Sequence, residues 1–104
     1  MQILLIAATK LEIEPLNALP GYVDIEITGV GCPAALYHLQ KKIYQAKYNL
    51  VIQAGIAGTF NNKFQPGDVV IVRQDTFADI DMEESSEFTS IFQTTFAEKN
   101  KFPF

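Results

Sequence analysis

The stretch "VIQAGIAGTF", residues 51–60, decides how the chain is read. Val51 and Ile52 form an apolar run, Gln53 and Ala54 follow, and then come Gly55-Ile56-Ala57-Gly58. A buried strand gives way to small residues where the chain must turn. Three of these four positions carry nothing larger than a methyl, so a flat ring or a sugar could approach the main chain here. The plainer reading is a tight strand-to-loop turn. The pattern is not G-x-G-x-x-G, so it gives little support to a dinucleotide fold.

Working outward, "QILLIAA" at 2–8 is continuously apolar, as expected of a strand covered on both faces. Thr9 is placed to cap a helix starting near Lys10 or Leu11, or later, since Pro15 is tolerated only in a helix's first turn. "LPG" at 19–21 is a break, and "YVDIEIT" at 22–28 alternates as a half-buried strand. "GVGCP" at 29–33 turns the chain, with Pro33 suited to the first position of a helix. Over 34–47, Ala35, Leu36, Leu39, Ile43 and Ala46 recur at helical spacing, with His38, Lys41, Lys42 and Gln45 on the other side. Strands are predicted at 49–55 and 68–74, separated by a loop at 61–68, and "DTFADI" at 75–80 continues or pairs with the last of them. Beyond Asp81, Ile91, Phe92 and Phe96 are spaced for an amphipathic helix starting near Ser90. The order predicts an α/β fold with a largely parallel or mixed central sheet.

At 104 residues the chain is close to one domain, and 48% apolar against 19% charged residues marks it as globular. The formal net charge of −4, with Lys41-Lys42 the one basic cluster, argues against a nucleic-acid partner. A single cysteine, Cys32, cannot form an internal disulfide and fits a reducing, cytoplasmic setting. "MQILLIAATK" lacks the basic start of a signal peptide, and no run approaches the roughly 20 apolar residues of a membrane span. A membrane partner is therefore not expected.

Glu12 falls a few residues beyond the first strand, and ligands of α/β sheets bind outside the carboxyl ends of strands. It reads either as a carboxylate at the mouth of a cleft or as a helix N-terminal acid favoured by the dipole, a reading that Glu14 also fits. Gly29-Val30-Gly31 precedes a helix start, where free N–H groups can receive an anion. Asp79 and Asp81 would share one face of a strand, but no His or Glu cluster supports a metal there. His38 reads as solvated and Cys32 as a small packing residue. No nucleophilic triad can be assembled, and no cofactor or metal is expected.

Taken in order, "ILLIAATKLEIEPL", "GVGCPAAL", "NLVIQAGIAGTF", "PGDVVIV" and "DTFADID" followed by Glu83 resemble the N-terminal half of the nucleoside phosphorylase and nucleosidase superfamily. Order and spacing are similar to those of 5′-methylthioadenosine/S-adenosylhomocysteine nucleosidases, and the "GIAG-F" and "FAD" segments look most like futalosine hydrolases of menaquinone biosynthesis. The resemblance covers about residues 2–83. It implies a three-layer sandwich with a mixed central sheet, incomplete in this chain. It also implies cleavage of the N-glycosidic bond of a 5′-substituted purine nucleoside, and a homo-oligomer. Glu12 matches the carboxylate that activates or positions the attacking water. Ala8 and Thr9 match positions beside the ribose, and Ile56, Ala57 and Gly58 match main chain along purine and ribose. Val30 and Met82 match apolar positions near the 5′ substituent. Family nucleosidases carry Ser where this chain has Ile56. The lone arginine, Arg73, argues for hydrolysis over phosphorolysis, because phosphorolytic relatives grip phosphate with arginines. Relatives are about twice as long and draw their purine-binding Met-Glu pair and leaving-group Asp from the later half. This chain is therefore expected to carry half a site and to be inactive alone.

Overall fold

The computed structural model describes residues 1–16, 18–75, 81–84 and 87–90. They fall into two compact units, Met1–Lys63 and Phe64–Phe104. The first is α/β: strands β1 (Ile3–Ala7), β2 (Val23–Ile27) and β3 (Leu50–Gln53), with helix α1 (Cys32–Gln45) between β2 and β3. All pairings are parallel and the sheet order is β2-β1-β3, so β1 is central. The three strands lie within the stretches predicted for them.

Centrality explains why β1 is apolar on both faces. Leu5 lies opposite Ile25 and Ile52, and these share one face; Leu4 and Ile6 lie on the other, opposite Asp24 and Glu26. The first face is covered by the β1–β2 connection, where Ile13 packs with Leu5 and Ala7, flanked by Leu19, Val23 and Ala54. The second carries α1, tied to β2 through Glu26. Leu4, Leu5, Ile6, Ala7 and Ile13 form the buried apolar core, and Leu4 is fully enclosed.

The helix expected after Thr9 is a single 3-10 turn, Lys10–Glu12. Its bonds run i to i+3: the Ile13 N–H donates to Lys10 O at 3.2 Å, and the Leu16 N–H to Ile13 O at 2.9 Å. Pro15 has no N–H with which to continue an α-helical ladder, so the turn does not lengthen.

Helix α1 begins one residue before Pro33, with Gly31 at its cap, and ends at Gln45. Its packed face differs from the one expected. Ala34, Ala35, His38, Leu39 and Lys42 are half-buried. Leu36 and Ile43 stay exposed, at 58% and 50%. The reason is Glu26, which β2 points toward the helix. Its carboxylate meets His38 Nδ1 at 3.2 Å and Lys42 Nζ at 3.5 Å. The expectation of a solvated His38 is corrected on the same ground.

In the second unit, β4 (Asp81–Glu84) and β5 (Glu87–Ser90) pair antiparallel, a hairpin the sequence reading did not foresee. The strand expected at 68–74 is absent. Val69 and Ile71 are each 95% exposed, and the run has no ladder partner among the described residues. A β-branched run without a neighbour to bond is not a strand. The amphipathic helix expected from Ser90 meets the end of β5 there, and its remaining residues lie outside those described. No described helix is long and apolar enough to cross a membrane.

Candidate functional site

Parallel strands put all their carboxyl ends on one edge of the sheet. Ala8 and Thr9 follow β1, Thr28 to Val30 follow β2, and Ala54 to Gly58 follow β3. The β1–β2 connection lies on one face and α1 on the other, so the connections change sides at the ends of β1 and β3, the place where ligands of open α/β sheets bind. Two backbone bonds tie the strand ends together. The Ala54 N–H donates to Ile6 O and the Thr28 N–H to Ala7 O, each at 2.9 Å.

Glu12 lies at this edge, beside Thr9 and Gly55. Its Oε2 accepts the Thr9 N–H at 2.7 Å and the Thr9 hydroxyl at 3.2 Å. The Thr9 N–H, above all, holds the carboxyl below the usual carboxylate range. Partial desolvation opposes this, and the Thr9 hydroxyl and the backbone N–H groups of Ile56 and Ala8 add to the lowering. The Thr9-Lys10-Leu11-Glu12 spacing is that of a capping box, in which the acid folds back onto the residue before the turn. Its Oε1 lies toward the end of β3, 3.4 Å from where a Cβ on Gly55 would stand. The result is a negative charge fixed beside the ends of both strands.

Of the residues singled out by sequence, Ala8, Thr9, Glu12, Ile56, Ala57 and Gly58 belong to the ends of β1 and β3. Val30 belongs to the end of β2 and is 80% exposed, and Ile56 is 83% exposed. Both are open to a ligand. Met82 belongs to the second unit, on β4 opposite Thr89. Asp81 begins that strand opposite Ser90, and Asp79 lies outside the described residues. Glu14 is exposed on the far side of the 3-10 turn. Cys32 is exposed in the first turn of α1, not packed. No group of three or more His, Cys, Asp or Glu among the described residues is arranged to hold a metal.

Thr28 was missed by sequence. It is the buried polar residue of the core, at 3% exposure. Its hydroxyl lies 3.3 Å from Ala7 O and 3.1 Å from Gly29 O, fastening the end of β2 to that of β1. Its placement as the last residue of an alternating strand, just before Gly29, was the available signal. Comparison with protein-family models, curated proteins and solved structures returned no match.

Proposed function

We propose that this chain supplies the water-side carboxylate of a purine nucleosidase, which hydrolyses the N-glycosidic bond of a 5′-substituted nucleoside of the futalosine type. The observation that carries the reading is Glu12, whose carboxylate is held by the Thr9 N–H beside the ends of β1 and β3. In the reaction the C1′–N bond breaks with its electron pair passing to the purine, which takes up a proton. A water oxygen bonds to C1′ and releases a proton. The ribose carries positive charge while the first bond is breaking, and a fixed carboxylate beside it lowers that barrier. The main chain of Ile56, Ala57 and Gly58 is bare enough to lie along a purine and ribose, and Val30 offers an apolar surface for the 5′ substituent. In this reading the sheet belongs to a three-layer sandwich in a cytoplasmic homo-oligomer. Ile25 and Ile52, 40% and 42% exposed on the face not carrying α1, are the surface a further layer would cover.

A second reading has its own observation. Glu12 Oε2 already accepts from the N–H and hydroxyl of Thr9, as a structural clasp on the 3-10 turn would. A non-catalytic nucleotide-binding or assembly module needs nothing more. Glu12→Gln separates the two readings when tested for purine release from futalosine and methylthioadenosine. It is also tested for binding of a purine-bearing pyrrolidine whose ring nitrogen is protonated, a mimic of the cationic ribose. The binding arm reads the carboxylate without requiring a leaving-group acid. Loss of cation binding with the fold intact, together with loss of any purine release the wild type shows, supports the nucleosidase. Loss of stability alone supports the clasp.

A further inference from the structure

We propose that Gly55 is a positioning residue for Glu12: the side chain it lacks is the space that the second carboxylate oxygen occupies. The inference rests on the reading of Glu12 as the working carboxylate. Thr9 takes Oε2, which leaves Oε1 facing the end of β3. A Cβ built on Gly55 would stand 3.4 Å from Oε1, in van der Waals contact with it, so a methyl fills the gap and the extra atoms of a branched side chain compete with the carboxylate for the remaining space.

Two further facts make this a matter of space. Positive φ angles occur at Gly29, Gly31 and Gly67, and Gly55 is not among them, so its backbone would accept a side chain without strain. The residue before it is pinned, because the Ala54 N–H is bonded to Ile6 O at 2.9 Å. A side chain at 55 therefore meets a carboxylate rather than swinging clear of it. Gly58 is the matched comparison in the same segment: its φ is also not positive, and a Cβ there meets nothing within 4 Å. The bareness of 55–58 thus has two origins. At Gly55 the close neighbour is the protein's own Glu12, and at Gly58 the space is open.

The test is a carboxyl titration by NMR with 13C-labelled glutamate, on wild type, Gly55→Ala, Gly55→Val and Gly58→Val, with thermal unfolding of each. Pushing Glu12 away from the Ile56 N–H is expected to move its midpoint upward, more for Val than for Ala at 55. The Gly58→Val midpoint is expected to match wild type. Affinity for the protonated pyrrolidine should fall from wild type to Gly55→Ala to Gly55→Val; Gly58→Val serves as a control for the titration alone. If the valine variant does not fold, the alanine variant carries the comparison. An unmoved midpoint in the folded Gly55 variants overturns the proposal, and so does an equal shift at Gly58. Shifted midpoints in forms that bind the protonated pyrrolidine no better than its neutral analogue uphold the positioning role and refute the nucleosidase. Cation binding that depends on Glu12 but ignores position 55 does the reverse.

Discussion

Glu12→Gln keeps the length and planarity of the side chain and removes its charge. One amide oxygen still accepts the Thr9 N–H, whose bond to the wild-type carboxylate is 2.7 Å, so the 3-10 turn is expected to survive. The other oxygen becomes an NH2 group turned toward the end of β3 at Gly55. Two losses follow, a fixed charge and a contact to β3. A positively charged ribose mimic loses one screened unit-charge interaction at a half-exposed site, which amounts to roughly three- to tenfold in affinity. A neutral nucleoside loses almost nothing, because its ribose carries no charge to oppose. In a complete nucleosidase site, where the charge is largest in the transition state, turnover would fall by roughly 10²-fold or more. Calorimetry on the cation and on its neutral analogue, beside a purine-release assay, measures all three. Wild-type cation binding weakens as pH falls through the lowered Glu12 range. The variant stays flat. Glu14→Gln, on an exposed neighbour, should be silent in each assay. Equal weakening of cation and neutral analogue would falsify the charge argument, as would a Glu14 effect as large as that at Glu12.

Leu4 is fully enclosed in a core of five buried apolar residues, so Leu4→Ala should cost about 2–5 kcal/mol. In so small a unit that is expected to lower the thermal midpoint sharply or abolish the transition by circular dichroism. Thr28→Val removes the hydroxyl set between Ala7 O and Gly29 O and should cost about 1–2 kcal/mol in urea unfolding, while Thr28→Ser stays close to wild type. For Glu12 the folded carboxyl titrates below its ordinary value of 4.5. Its stabilising effect is therefore present above that value and lost as pH falls through the lower folded one. The stability difference between wild type and Glu12→Gln should shrink along that acid limb and be constant above it.

The strands were legible because their signals are local. The unbroken apolar run of β1 announces a central strand, and the alternation in β2 announces a strand with one polar face. Helix α1 was legible in extent and not in rotation. Counting apolar residues favours the side of Leu36 and Ile43, but packing is decided by what β2 presents, and that is Glu26. A carboxylate under a helix recruits His38 and Lys42, whose stems cover the sheet while their polar ends meet it. The run at 68–74 misled for a related reason. Its residues have strand propensity, but propensity supplies no neighbour, and a strand exists only as half of a pair. The β4–β5 hairpin lies in an acidic stretch with little apolar alternation, which left periodicity nothing to register.

The ambiguity of Glu12 in the sequence has a physical root, because both readings describe the same group. The spacing Thr9-x-x-Glu12 folds the acid onto the turn, and the parallel sheet then brings Ile56 to it from the next strand. Neither the crossing of β3 to the side of β1 nor the approach of Gly55 is encoded locally; both follow from the order β2-β1-β3. The outcome bears on mechanism. N–H donors that hold a carboxylate ionised also weaken it as a base, since they must be given up in part when it takes a proton. A clamped Glu12 is thus better suited to stabilising a neighbouring cation by its charge than to abstracting a proton from water. If the nucleosidase reading holds, lengthening the Ile56 contact should raise the basicity of Glu12 while loosening its aim. The rate would then report which of the two the reaction needs.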